Sequence, residues 1–277
     1  KSEEESIMEE AIGSRISDYL IKPVNPNQIL LSIKKNLESS RLVDEKITKG
    51  YQQEFRNISI ELSSNLSFKE WYQVYRKIIY WELELSKSDD SSIDEIISMQ
   101  KSEANSQFFR FVSRNYEDWI NNVESPLLSH NLLEKKVFHL LNNSSPVYLL
   151  LIDNLRYDQW KVIEDNILQK FKIIDDSMYM SILPTATQYS RNSIFSGLRP
   201  SEIENLYPKK WLNDEDEGGK NMFEEDFLKD QIKRLHLEHD KSSYTKITNI
   251  DYGRKVINKI DNMKHNNLNV IVYNFVD

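Results

Sequence analysis

From residue 42 the chain runs to Pro126 without a proline and with one glycine, Gly50. Proline and glycine are the strongest interrupters of a helix, so a stretch this long with so little punctuation is suited to long helices. The apolar spacing agrees. In "FKEWYQVYRKIIYWELEL", Trp71, Tyr75, Ile78 and Ile79 fall at i, i+4, i+7 and i+8, with Glu82 next on the same side. "SQFFRFVSRNYEDWINN" repeats the pattern with Phe108, Phe109, Val112, Tyr116, Trp119 and Ile120. "LLSHNLLEKKVFHLLNN" does so with Leu128, Leu132, Leu133, Val137, Leu140 and Leu141. The polar stretch "SKSDDSSIDE" (86–95) is a break, with Ser92 or Asp94 placed to cap the helix that follows. The spacing therefore predicts a helical bundle connector over 42–141, its aromatic stripes forming a core or a partner-facing seam.

At Pro146 the texture changes. "VYLLLID" (147–153) is a continuous apolar run that stops at an acid, as a buried parallel strand does. A helical segment with Trp160, Ile163 and Ile167 on one side follows, then strand-like "FKIID" and "MYMSILP". A turn carrying Thr185 and Thr187 opens the next helix. "NDEDEGGKNM" (213–222) is a solvated loop, "TKITN" (245–249) a strand, "YGRKVINKID" a helix, and "LNVIVYNFVD" (268–277) another buried strand ending in an acid. This alternation predicts an α/β domain: an open, mostly parallel sheet with helices on both faces. In such sheets the ligand site lies beyond the carboxyl ends of the strands.

Composition narrows the chemistry. With 39% hydrophobic and 29% charged residues, 277 residues can bury the cores of two or three domains. A net charge of −8 opposes a protein that holds duplex DNA by neutralising phosphates, and no basic helix-turn-helix is visible, so direct DNA binding is not expected. The absence of cysteine excludes disulfides and thiolate metal sites. The six glycines form neither GxGxxG nor GxxxxGK[ST], so the glycine-based phosphate cradles are missing. Nothing resembles a signal peptide or an 18-residue apolar span, which predicts a cytoplasmic protein with no membrane insertion.

Three oxygen-bearing residues fall at the expected carboxyl edge: Asp153, Thr187 and Asp277. Two readings stand. Strand-end acids are ordinary, and Thr187 is a good helix cap. Alternatively, two carboxylates and a hydroxyl are hard ligands for Zn²⁺, Mn²⁺ or Mg²⁺, and a metal beside Thr187 would make its hydroxyl a nucleophile for phosphoryl transfer. Arg191, one helical turn beyond, is either a surface arginine or a fork for a substrate phosphate. The five histidines are scattered; His236 and His239 have a spacing that binds metal on some helices, but a solvated helix is the better reading.

The first residues add a second kind of domain. "AIGSRISDYLIKPVNPNQILLSIKK" reads as helix, short strand and a helix starting at Asn25–Pro26, with Ile29, Leu30, Ile33 and Leu37 on one face. It resembles the end of a response-regulator receiver domain, so residues 1–41 are expected to be the C-terminal part of one. The resemblance implies that Lys22 is the signalling lysine near a phosphorylated, Mg²⁺-bound aspartate lying upstream, and that a sensor histidine kinase is a partner.

"LLIDNLRYDQW" with "ILPTATQYSRNSIFSGLRPSE" resembles the PglZ family of the alkaline phosphatase superfamily, and is similar to its phosphodiesterase and nucleotide pyrophosphatase branch. The resemblance implies that residues 142–277 are the N-terminal part of an alkaline-phosphatase-like domain. It makes Asp153 a metal ligand, Thr187 both nucleophile and ligand, and Asp277 a further metal ligand, in a two-zinc site completed beyond this chain. Receiver, helical connector and PglZ domain together resemble the PorX-type response regulators of Bacteroidota. That combination implies a zinc-dependent phosphodiesterase acting on nucleotide-type phosphodiesters in the control of type IX secretion, with homodimerisation through receiver or bundle, and this fragment inactive. The alternative is a non-catalytic signalling scaffold that binds a partner or nucleotide through a phosphatase-like fold.

Overall fold

The computed structural model describes residues 26–87, 91–121, 125–142, 145–213, 215–237 and 241–274. They fall into two compact units, divided between Phe111 and Val112. Lys22 and the rest of the receiver-like segment before Pro26 lie outside the described residues. Among the described residues no helix is long and apolar enough to cross a membrane.

The first unit is helical. Helix α1 spans Pro26–Leu62, with proline at its first position, where a missing N–H costs nothing. It continues without a break past residue 41, where the receiver was expected to end. Ile29, Leu30 and Ile33 are exposed on it. Helix α2, Phe68–Leu85, opens with a capping box between Ser67 and Glu70. Helix α3, Ser91–Asn121, which belongs to this unit as far as Phe111, starts before Ser92 and Asp94, so neither occupies the expected cap position and Asp94 lies in the first turn. Ile58, Leu62, Trp71, Val74, Ile78 and Ala104 form one core cluster, and Tyr51, Leu85 and Ile97 another. Phe111, not Phe109, joins Phe108 against Trp71, while Phe109 is exposed. Residues three apart share a helix face and adjacent ones do not.

The second unit is built on three parallel strands, β1 (Val147–Ile152), β2 (Ser242–Ile247) and β3 (Leu268–Tyr273), in the order β1-β3-β2. Val147 and Ser242 both face Leu268, and Ile152 and Ile247 both face Tyr273, so the carboxyl ends of all three strands are level. The central strand β3 is buried on both faces, which accounts for its largely apolar run. Its one polar member, Asn269, accepts from Ser243 Oγ (2.7 Å) and Asn266 Nδ2 (3.0 Å) and donates to the Met263 carbonyl (3.0 Å).

Helices cover both faces, as the alternation predicts. Leu268, Val270 and Val272 pack with Ile194 and Phe195 of one helix, Ile203 of a second and Phe227, Leu228 and Ile232 of a third. Ile271 on the opposite face packs with Ile247 and Val256, backed by Tyr148 and Met263. Burial of each such side chain contributes about 1.5–3 kcal/mol.

Three expectations need correction. Residues 128–141 are not one helix but a 3-10 turn at Ser129–Asn131, a short α4 (Leu132–Lys136) and a second 3-10 segment at Phe138–Asn142. Leu133, Val137, Phe138 and Leu141 enter the core over the sheet, so this stretch belongs to the α/β unit and not to the connector. "FKIID" and "MYMSILP" form no strands, and Met180 makes only an isolated bridge to Leu128. Ile174 is 94% exposed there, so its apolar side chain is not used in a core. The strand expected at 245–249 instead spans Ser242–Ile247. Helix α5, Tyr157–Leu168, buries none of its residues.

Candidate active site

The level strand ends concentrate polar groups. Asp153 directly follows β1 and its N–H donates to the Tyr273 carbonyl (3.0 Å). Asn154, at φ 60, then turns the chain away. Asn274 follows β3 and donates its N–H to Ile247 O (2.9 Å). Arg191 reaches this edge from α6, Thr187–Ser196. Its Nη1 donates to Asp153 Oδ2 (2.8 Å) and also to Asn274 Oδ1, and its Nη2 donates to Glu224 Oε2 (2.6 Å).

Helix α7 is Pro200–Leu206 and α8 is Glu224–Arg234, so Glu224 stands at the first residue of α8. Its carboxylate also accepts from the Tyr244 hydroxyl (2.6 Å) and pairs with Lys246 Nζ (3.2 Å), both on β2. One guanidinium thereby joins the ends of β1 and β3 to α8 and, through Glu224, to β2. Arg191 is 3% exposed and Glu224 1%. Ions this deep persist only when paired and hydrogen-bonded. Burial works against the Arg191 charge, but Glu224 and Asp153 outweigh it and its pKa rises. Tyr244 is pushed up by burial first and by the Glu224 charge second. Burial, helped by the Asp153 charge, also raises Tyr179.

Thr187 does not cap its helix. Ala186 is the N-cap, with no side-chain cap bond, and Thr187 is the first helical residue. The helix starts one residue too early for the threonine hydroxyl to fold back on it. Thr185 and Thr187 are both exposed. The Thr187 carbonyl accepts from Asn221 Nδ2 (3.3 Å), which also donates to Asn192 Oδ1 (3.2 Å), and Lys246 Nζ donates to the Asn221 carbonyl (3.1 Å). Asn192 completes the latch through Lys220 O (3.1 Å). Thr187 and Arg191 are four residues apart on one helix and share a face, and Arg191, one turn after Thr187, reaches Asp153 at the strand edge.

Arg191 is therefore neither a surface arginine nor placed as a ready phosphate fork: both terminal nitrogens are bound within the protein. Asp277 lies outside the described residues, as does His239. His236 follows α8 in a left-handed conformation, φ 57, so it does not extend that helix. Glu224, Asn221, Asn274 and Lys246 were not singled out by sequence reasoning. Glu224 carried one usable signal, an acid three and four residues before Phe227 and Leu228 on the buried stripe of α8.

Among the described residues no group of three or more His, Cys, Asp or Glu side chains is placed to hold a metal. The donors that are described suit one in kind. Asp153 and Thr187 offer hard oxygens, and the Asp153 side chain is 24% exposed, hence reachable from solvent. Its Oδ2 is tied to Arg191 as ligating carboxylates are tied to outer partners. Arg191 bridges Asp153 and Glu224, and Lys246 also pairs with Glu224, so the charges of these four described residues sum to zero.

Residues 41–120 match the PorX response regulator linker domain, and residues 132–277 match the BREX system PglZ alkaline phosphatase-like domain. The second match begins where the structure brings α4 into the sheet's core. Among curated proteins, none matches this chain. With more than half of its length inside the second match, and a response-regulator linker preceding it in sequence, the chain belongs to the PglZ alkaline phosphatase-like family in a PorX-type arrangement.

Proposed function

We propose that the α/β unit is the output domain of a response regulator and hydrolyses phosphodiesters of the nucleotide type with the help of zinc. The observation that carries this reading is the Arg191–Asp153 contact, which brings the helix opened by Thr187 to the edge where β1 ends. In this scheme Thr187 Oγ attacks phosphorus, forming a threonine–phosphate bond as the bond to the leaving oxygen breaks, and the hydroxyl proton passes through solvent to the leaving oxygen, which departs as the alcohol. Water then cleaves that ester and restores the hydroxyl. Asp153 and Asp277 are the carboxylates that would hold the cation in this scheme. A cation held there would lower the hydroxyl pKa and offset charge on the leaving oxygen. The N-terminus of α6 favours the phosphate's negative charge.

The same reading makes Lys22 the lysine that senses phosphorylation of a Mg²⁺-bound receiver aspartate by a sensor kinase, with control of type IX secretion as the output and the cytoplasm as its site. The test is hydrolysis of bis-p-nitrophenyl phosphate by the complete protein, with and without zinc. Thr187→Ala is expected to lower turnover by about 10³-fold or more. A folded, metal-loaded wild type with no turnover would replace this reading with the signalling scaffold.

A further inference from the structure

Arg191 and Glu224 form the most deeply buried ion pair among the described residues, at 3% and 1% side-chain exposure. A structural role alone accounts for a buried pair, but not for the way its bonds are distributed. Arg191 uses one nitrogen for Glu224 and the other for two groups at the strand edge, Asp153 and Asn274. Asp153 is the partly exposed member, whereas Glu224 is sealed and further braced by Tyr244 and Lys246. The braced end acts as an anchor and the strand-edge end as a pointer.

We propose that Arg191 is a positioning residue that fixes the Asp153 carboxylate for a divalent cation, and that Glu224 is the buried counter-charge that holds Arg191 in place. The proposal rests on the metal-dependent reading above. It differs from the expectation that Arg191 touches the substrate, since a guanidinium engaged with Asp153, Asn274 and Glu224 acts through another residue. Lysine cannot replace it, because one ammonium on a flexible stem does not reproduce a planar fork that spans both carboxylates. Removing Arg191 alone would leave Glu224 buried and less well paired, which confounds stability with function. The informative variant removes both charges.

The experiment measures Zn²⁺ affinity of the complete protein by competition with a chromophoric chelator, alongside thermal unfolding, for wild type, Asp153→Asn, Arg191→Lys and the double variant Arg191→Met/Glu224→Gln. The double variant is expected to unfold near the wild-type temperature and to bind zinc roughly 10- to 100-fold more weakly. Arg191→Lys should show the same weakening. A folded double variant or Arg191→Lys protein with wild-type affinity overturns the positioning role and leaves the enzyme reading standing. Wild type that binds no zinc, or binding unaffected by Asp153→Asn, overturns both. If the double variant fails to fold, the Arg191→Lys affinity decides.

Discussion

At the scale of single residues, backbone geometry and burial set sharp requirements. Gly197 closes α6 at φ 64, with its N–H on the Ser193 carbonyl (2.9 Å). A Cβ there would lie 2.3 Å from Gln231 Nε2, so alanine meets both a left-handed backbone and a collision. Gly197→Ala is expected to cost roughly 1–2 kcal/mol from the backbone alone, measured by urea unfolding. His130 is a second case. Burial lowers its pKa from 6.5, with Glu202 opposing and Arg199 adding to the shift, so the folded state prefers the neutral ring. Stability from this preference is complete above the ordinary histidine range and is lost as pH falls through the lowered folded value. His130→Gln should remove that dependence: between pH 7.5 and 5, wild type should lose more melting temperature than the variant. Equal losses would contradict the assignment.

At the scale of elements, the bundle is held by apolar stripes but registered by a polar contact. Gln100 of α3, 1% exposed, accepts from the Tyr51 hydroxyl of α1 (3.2 Å) and donates to the Phe55 carbonyl (3.0 Å). Burial pushes Tyr51 up to about 12, so the fold favours the neutral phenol that donates this bond. Gln100→Leu strands the hydroxyl and should cost about 1–3 kcal/mol. Tyr51→Phe combined with Gln100→Leu should recover part of that loss, because neither partner is then left unpaired. A strictly additive double-mutant cycle would show that the two do not interact.

At the scale of the whole molecule, the decisive boundary is the one ahead of the sheet. Leu133 and Phe138 pack into the same core as Val270, Val272, Phe195 and Phe227. Leu133→Ala is therefore expected to destabilise the α/β unit by about 2–5 kcal/mol. In hydrogen exchange, amides of β1 and β3 should lose protection while those of α2 keep theirs. Loss of protection in α2 with an unchanged sheet would return residues 132–142 to the connector. Net charge acts at this scale too: with −8 overall, duplex DNA binding that falls steeply with salt is not expected in a filter-binding titration.

Much of this organisation is local and was therefore readable. The proline-free stretch and its 3.6-residue spacing specified α2 and α3, since a helix is decided by neighbours a few residues apart, whereas the single helix α1 across residue 41 was not marked by any such run. "VYLLLI" by its unbroken apolar run, and "LNVIVY" by one interrupted only at Asn269, specified parallel strands, and with them an edge holding Asp153. Periodicity could not separate residues 128–141 from the bundle, because an apolar stripe does not say which core receives it. Nor could it find the partners of Arg191, which lie 38, 83 and 33 residues away at Asp153, Asn274 and Glu224. An arginine on an isolated helix is a solvated charge. Only the packing of α6 and α8 over three level strands removes the water and brings two carboxylates to one guanidinium.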